Sequence, residues 1–311
     1  MDLHKERILL TGAAGFVGAC LTHRLVAQGI KPHVLLKPGL QAWRLKDIAK
    51  QIFIHEGDLL DQASLKNTVE HVRPTIIYHL ATHGAYPTQT DAAAIINTNV
   101  LGTLHLLQAL EGVAYKLFVN TGSSSEYGFK NAPMCENDML APNSFYAVAK
   151  ACQTMLCQYL AAARKKNIVT CRLFSAYGPY EESSRLVPAI IRCCLKGQDL
   201  IMASPSTARD FIFIEDILDA FLAVHPLAAC AGEILNLGTG RQTTLKEIVE
   251  EVLALTRANV QVRWNSMPDR IWDTAIWVGD PSKTAERLGW RAATPLKEGL
   301  SKTLEWFKTH E

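Results

Sequence analysis

From residue 7 to about residue 119 the sequence alternates short, almost wholly apolar runs with longer stretches of helical apolar spacing. The runs RILLTG, PHVLLK, IFIHEGD, TIIYHLAT and KLFVNTG read as strands, and residues 16–28, 61–71 and 92–110 read as helices. Strands that are apolar nearly throughout need both faces covered, which a helix-flanked parallel sheet provides. The pattern predicts an α/β chain with a doubly wound parallel sheet. Ligands of such sheets lie beyond the carboxyl ends of the strands, where the strand order reverses.

Further on, a long helix over 144–166 precedes another strand, VTCRLF. After Tyr177 the pattern loosens into helical LVPAIIRCCLKG, strand-like RDFIFIED, a helix over 217–225, EILNLGTG, and helices over 244–256 and 295–308. The chain of 311 residues carries 32 basic and 30 acidic side chains, and its longest run of like charge is Arg164-Lys165-Lys166. No basic stripe is present, so neither nucleic acid nor an anionic membrane is an expected partner. The N-terminal MDLHKERILLTG has no apolar core or small-residue cleavage site of a secretory signal, and no stretch approaches the length of a membrane span. A soluble, cytoplasmic protein is expected. Eight cysteines without a CxxC pair, set mostly in apolar segments, read as reduced thiols, and no metal site is expected.

Three motifs carry chemistry. Thr11-Gly12-Ala-Ala-Gly15-Phe16-Val17-Gly18 lies between a strand and a helix. Glycines there let the backbone approach a pyrophosphate, and the helix start offers N–H groups and a positive dipole end. Tyr146-Ala-Val-Ala-Lys150 places a phenol and an ammonium four residues apart on one helix face. A nearby cation favours the ionised phenol, whose ordinary pKa of about 10 drops by one unit for each ~1.4 kcal/mol of differential stabilisation. Thr121-Gly-Ser123-Ser124-Ser125-Glu126-Tyr127-Gly128 ends the fifth strand and offers hydroxyls for a substrate oxygen.

With these three motifs in order, the sequence resembles the extended short-chain dehydrogenase/reductase family, in the branch acting on nucleotide sugars. The resemblance spans essentially the whole chain and includes Glu56-Gly57-Asp58-Leu59, His79-Leu80-Ala81, Asn99-Val-Leu-Gly-Thr103, the Arg172 to Pro179 segment, Arg209-Asp210-Phe211 and the segment from Gly279 to Trp290. It implies a Rossmann dinucleotide-binding domain over 1–180, joined by a later segment near 209–240, and a mainly nucleotide-sugar-binding lobe over 181–311. It implies that Gly12, Gly15, Phe16 and Val17 cradle the cofactor pyrophosphate, that Asp58 and Leu59 border the adenine, and that Leu80, Ala81, Thr82 and Thr121 line the cofactor further along. Tyr146 is the implied proton donor or acceptor, Lys150 also holds the nicotinamide ribose, and Ser123 binds the reacting oxygen. Ser124, Ser125, Ser175, Leu186, Val187, Arg209 and Arg270 are the implied contacts of the nucleotide sugar, the arginines suiting its diphosphate. A homodimer through the helices over 92–110 and 144–166 is the implied assembly.

Departures from the family pattern narrow the reaction. Members using NAD place an acidic residue at the end of the second strand; here Lys37 stands there, with Arg44 following. Cations in place of the carboxylate suit a 2′-phosphate, so NADP(H) is the expected cofactor, with NAD the alternative. Sugar-nucleotide 4,6-dehydratases and decarboxylases use a carboxylate two residues past the position of Ser123, which is Ser125 here. Glu126 is one place later, and on an extended segment its side chain points the other way. The expected activity is an NADPH-dependent 4-ketoreductase of a nucleotide-linked 4-keto-6-deoxy sugar, in deoxysugar biosynthesis. A 4-epimerase is the alternative; a 4,6-dehydratase and a non-catalytic cofactor-binding regulator rank below it.

Overall fold

The structure is a computed structural model that describes residues 1–86, 88–267, 274 and 276–310. The chain forms two compact units, one of residues 1–128, 139–172 and 221–235, the other of residues 129–138, 173–220 and 236–311.

The first unit is built on strands β1 (Ile8–Thr11), β2 (His33–Leu36), β3 (Phe53–Glu56), β4 (Ile76–His79), β5 (Leu117–Ser123), β6 (Ile168–Leu173) and, at its border, β11 (Ile234–Leu237). They form a seven-stranded sheet of order β11-β6-β5-β4-β1-β2-β3. The Rossmann-like parallel sheet expected from the sequence is therefore present, with parallel registers such as Leu10 against Val34 and Tyr78. Strand order reverses at β1, whose neighbours are β2 and β4, so the crevice between the ends of β1 and β4 is the place for a ligand.

Burial follows position in the sheet. Strands β1 and β4 are buried at every residue, as central strands with covered faces must be. Strand β3 has a neighbour on one side only, and Phe53 remains 44% exposed despite its apolar character. Its place at the sheet edge, invisible in its composition, accounts for that difference.

Helix α1 (Phe16–Ala27) follows β1, and α2 (Gln62–Val72) starts where Asp61 accepts hydrogen bonds from the Ala63 and Ser64 amides. The expected helix over 92–110 is interrupted. Helices α3 (Ala92–Ile96) and α4 (Gly102–Ala109) flank a π turn, Asn97–Leu101, in which Asn99 is fully buried. Asn99 Oδ1 accepts from Thr82 Oγ1 at 3.1 Å and from the His83 amide at 2.9 Å, and its Nδ2 donates to the His83 carbonyl at 2.8 Å. The wider turn accompanies a polar side chain placed inside, where only hydrogen bonds make it tolerable. Helix α5 (Phe145–Arg164) is capped by Ser144, whose hydroxyl accepts from the Ala147 amide.

The second unit holds β7 (Ser175–Tyr177), α6 (Leu186–Leu195), β8 (Leu200–Ile201), β9 (Ala208–Arg209), β10 (Phe211–Phe213) and the start of α7 (Ile214–Leu222). The short helix α8 (Val224–Ala228) belongs to the first unit. After β11 come β12 (Thr243–Thr244), α9 (Leu245–Thr256), β13 (Val262–Arg263), α10 (Ser282–Leu288) and α11 (Leu296–His310). Three two-stranded ladders, β7 with β10, β9 with β12 and β8 with β13, organise this unit. Its packing is close: a Cβ on Gly299 would lie 2.2 Å from Tyr177 Oη.

Candidate active site

The glycine-rich turn sits at the strand-order reversal. Gly12 has φ +72°, a left-handed conformation that L side chains rarely adopt, and a Cβ there would lie 2.4 Å from the Ala81 amide nitrogen just past β4. A Cβ on Gly18 would lie 2.2 Å from the Gly12 carbonyl oxygen, so α1 packs directly against the turn. Gly15, the N-cap of α1, is exposed and supplies no side-chain cap, and Phe16 and Val17 are half-buried behind it. The first amides of α1 are thus not capped by a side chain, which is the arrangement that receives phosphate oxygens.

The walls of this crevice are tied together by a buried histidine. His79 Nδ1 lies 2.7 Å from Thr11 Oγ1 and its Nε2 lies 2.8 Å from Thr103 Oγ1, joining β1, β4 and α4. Burial, helped by the charge of Lys150, pushes the imidazole down to about 3, so it is neutral. Leu59 and Leu80 are buried, Asp58 and Ala81 half-buried and Thr82 exposed. Lys37 and Asp58 form an ion pair of 3.0 Å. Backbone and lysine hydrogen bonds hold the Asp58 carboxyl below its usual range against the opposing effect of burial. Arg44, largely buried, stacks over the Trp43 ring at 4.3 Å and donates from Nη1 to the Ala14 carbonyl at 3.2 Å. Lys37 follows the end of β2, and Arg44 stands against the glycine turn.

On the other side of β4, Ser123 closes β5, and Tyr146 and Lys150 rise from the first turns of α5. Lys150 is almost wholly buried; its Nζ donates to the Thr121 carbonyl and, at 2.7 Å, to Gln153 Oε1. Gln153 Nε2 in turn donates to Asn120 Oδ1 at 2.7 Å, and Asn120 Nδ2 to Thr170 Oγ1 at 3.1 Å. Burial brings Lys150 down to about 8, partly opposed by the carboxylate of Glu126. An ammonium has three N–H groups, so two are used and one remains for a phenol or a ribose. Ser123 Oγ accepts from the Ser125 amide at 3.2 Å, which leaves its own proton to donate. Ser124 is buried and Ser125 half-buried.

Glu126 is not where its sequence position placed it. The strand ends at Ser123, and Ser124–Tyr127 form a 3-10 turn, so strand alternation no longer decides which way the side chain points. The carboxylate folds back as a capping box: Oε1 accepts from the Ser123 amide at 2.7 Å and Oε2 from Arg172 Nε at 2.8 Å. The pair is buried, and a Cβ on Gly122 would lie 2.8 Å from Glu126 Oε1, so the carboxylate occupies the room that glycine leaves. An arginine inside the apolar run VTCRLF was the sequence signal for a buried acidic partner.

In the second unit, Ser175 is half-buried in β7 and donates its amide to the Asp210 carbonyl at 2.9 Å. Leu186 is half-buried at the start of α6, while the Val187 side chain packs into the core. Arg209 lies over the Trp277 ring at 5.2 Å and donates to the Ala208 carbonyl at 2.7 Å. Asp210 beside it is fully buried and accepts from Thr239 N and Oγ1, Gly240 N and Gly279 N. Arg270 lies outside the described residues.

The residues present fit a nicotinamide dinucleotide. The uncapped helix start, Gly12 and Gly18 with no room for a side chain, and the buried Thr121 Oγ1, which has no hydrogen-bond partner among the described residues, all meet its demands. A doubly wound sheet with this turn and a Ser/Tyr/Lys set defines a short-chain dehydrogenase/reductase of the extended kind. The chain belongs to the NAD dependent epimerase/dehydratase family, whose model matches residues 8–238. It is 29% identical to a UDP-glucose 4-epimerase of Mycolicibacterium smegmatis, over 97% of this chain and 98% of that protein. It is 26% identical to a dTDP-glucose 4,6-dehydratase of Xanthomonas campestris, over 97% of this chain and 93% of that protein. The UDP-glucose 4-epimerase of Thermus thermophilus, solved in complex with NAD, superposes with a TM-score of 0.86 at 25% identity, covering 97% of this chain and 99% of that one. Among the described residues no helix is long and apolar enough to cross a membrane.

Proposed function

We propose that the protein is an NADPH-dependent reductase of a nucleotide-linked 4-keto-6-deoxy sugar, acting in the cytoplasm in deoxysugar biosynthesis. The observation that carries this reading is a pair of cations: Lys37 after β2 and Arg44 against the Ala14 carbonyl. Both suit a 2′-phosphate, and a cofactor spent and exchanged at each turnover suits NADPH. Glu126 supports it from the other side, because a carboxylate engaged by Arg172 and the Ser123 amide is not available as the base for elimination or decarboxylation.

Gly12, Gly15, Phe16, Val17, Asp58, Leu59, Leu80, Ala81, Thr82 and Thr121 are assigned to the cofactor, with Lys37 and Arg44 on its 2′-phosphate. When bound, NADPH supplies the hydride that goes to C4. Ser123 donates a hydrogen bond from its hydroxyl to the C4 carbonyl oxygen and holds it in place. Tyr146 gives its phenolic proton to that oxygen as negative charge develops there, and Lys150 stabilises the phenolate that results. Arg209 and Arg270 fall to the diphosphate, and Ser124, Ser125, Ser175, Leu186 and Val187 to the remainder of the nucleotide sugar. Tyr146 takes its proton back from solvent, so each turnover consumes one proton, and the products are the 4-hydroxy sugar nucleotide and the oxidised cofactor.

A 4-epimerase with retained cofactor is the second reading, favoured by the named epimerases among the relatives and by a site that needs only Ser123, Tyr146 and Lys150. The deciding experiment releases and identifies the cofactor, then follows NADPH absorbance with a panel of 4-keto-6-deoxy sugar nucleotides. Stoichiometric NADPH consumption supports the reductase; tightly held NAD without consumption selects the epimerase.

The proposed assembly is a homodimer. Phe145, Val148, Cys152, Met155 and Tyr159 form an exposed stripe along α5 at alternating spacings of three and four residues. That spacing suits a helix–helix seam, and a second copy about a two-fold axis would present the same stripe to it.

A further inference from the structure

Arg44, assigned above to the 2′-phosphate, is fastened at both ends: its backbone to α1 and its guanidinium to the turn that precedes α1. We propose that His23, two turns into α1, is a positioning residue for NADP(H). By holding the Arg44 backbone it sets where the guanidinium stands, and so contributes to the choice of NADPH over NADH. The inference rests on the cofactor reading above and not on the reduction of any particular sugar.

Three contacts carry it. His23 Nε2 lies 2.7 Å from the Arg44 carbonyl oxygen. A carbonyl can only accept, so Nε2 carries the proton and donates it. At the far end of the residue, Arg44 Nη1 donates to the Ala14 carbonyl at 3.2 Å, in the glycine-rich turn just before α1. The guanidinium also lies 4.3 Å from the centre of the Trp43 ring. Arg44, only 6% exposed, is thus held at two points of one continuous piece of chain, the glycine turn and the helix that follows it. The 3-10 helix Trp43–Gln51 that carries Arg44 has no side-chain cap at its start. His23 ties its first turn to α1 by a polar bond, beside the buried Leu45 and Ile48.

A free arginine side chain has many rotamers, and a guanidinium already in place loses less freedom when a phosphate arrives. NADH carries a 2′-hydroxyl where NADPH carries the phosphate, so it gains little from that order. A bond that orders Arg44 therefore favours NADPH, without requiring His23 to touch either cofactor.

The test is calorimetric binding of NADPH and of NADH to the full-length protein. His23→Ala is expected to weaken NADPH about 3- to 10-fold, the usual effect of one lost hydrogen bond, and NADH by less than about 2-fold. His23→Phe, which keeps the ring's volume and drops the donor, is measured beside it with the same expectation. His23→Gln places an amide N–H near the former Nε2 and is expected to recover most of the loss. In an Arg44→Ser background the backbone carbonyl remains and the guanidinium is gone, so His23→Ala should cost NADPH nothing further. A residue that merely stabilised α1 would cost the same in both backgrounds. Unchanged NADPH affinity, equal losses for the two cofactors, or an undiminished loss in the Arg44→Ser background overturns the inference. If Arg44→Ser alone binds NADPH as the wild type does, the assignment of Arg44 to the 2′-phosphate fails, and the role of His23 falls with it. If the wild-type protein turns over no keto-sugar nucleotide, the reductase reading fails, and the binding measurements still decide the role of His23.

Discussion

The ammonium of Lys37 lies 3.0 Å from the carboxylate of Asp58, a pair formed where the neighbouring strands β2 and β3 end. A carboxylate in the place of Lys37 would repel a 2′-phosphate, and the proposed role of the lysine is to meet one. Lys37 is well exposed, so screening keeps its effect small. Lys37→Ser is expected to weaken NADPH binding about tenfold and leave NADH within a few-fold, and Arg44→Ser, with its less exposed guanidinium, to cost roughly 10- to 100-fold for NADPH. Titration of both cofactors by calorimetry reads this; equal losses for the two cofactors would refute the assignment.

Tyr146→Phe removes one oxygen and keeps the ring. Turnover is expected to fall by a factor of about 10² to 10⁴, the usual contribution of a placed proton donor, with cofactor affinity nearly unchanged. Single-turnover kinetics at saturating NADPH check it, and wild-type rates in the variant would sink the mechanism.

The pH dependence has a definite sign. Burial brings Lys150 from its ordinary 10.5 to about 8, so the cation is present below about pH 8 and lost above it. Turnover that needs this cation should be full below that point and decline as pH rises through it. Stability runs the other way: between about pH 8 and 10.5 the unfolded chain binds a proton that the folded one does not, so this residue's contribution to stability increases with pH across that window. A kcat/KM profile level to pH 10 would contradict the first expectation.

Two glycines with nearly equal φ separate backbone strain from collision. Gly39, at φ +74°, has nothing within 4 Å of an added Cβ, whereas Gly12, at φ +72°, has the Ala81 nitrogen at 2.4 Å. Gly39→Ala is expected to cost about 1–2 kcal/mol from the left-handed conformation alone. Gly12→Ala should cost about 1–3 kcal/mol more from overpacking and lose dinucleotide binding. Thermal unfolding with and without cofactor measures both, and similar Tm values for the two variants would refute the close packing.

If the stripe on α5 is a seam between two copies, charges placed on it must separate them. Met155 and Tyr159 are 61% and 67% exposed, so Met155→Lys/Tyr159→Lys should leave the fold intact. Sedimentation is expected to show a dimer for the wild type and a monomer for the variant. A monomeric wild type overturns the proposal.

Much of the sheet could be read from the amino acids, because a buried strand must be apolar along its length and a helix must carry a periodic face. Strands β1, β4 and β5 and helices α1, α2 and α5 fall within a few residues of where the pattern put them. The helix over 92–110 is broken by a π turn because Asn99 turns inward to bond Thr82 and His83, and an asparagine gives no apolar signal. Helix α10 carries too few apolar residues to register as periodic. At the candidate site the glycines, Ser123, Tyr146 and Lys150 stood out as motifs, whereas Asn120 and Gln153 did not, since each acts through a partner distant along the chain.

Local chemistry was sufficient for the class of fold, the glycine-rich turn and the Tyr146/Lys150 spacing, because each depends on neighbours within one strand or one helical turn. Only the tertiary structure decided the direction of Glu126, the partners of Lys37 and the surroundings of Lys150. Glu126 meets Arg172 across 46 residues of sequence, and that meeting depends on β5 lying beside β6. Desolvation, which lowers Lys150 and keeps His79 neutral, is a property of the assembled core, since it depends on what surrounds a group in space.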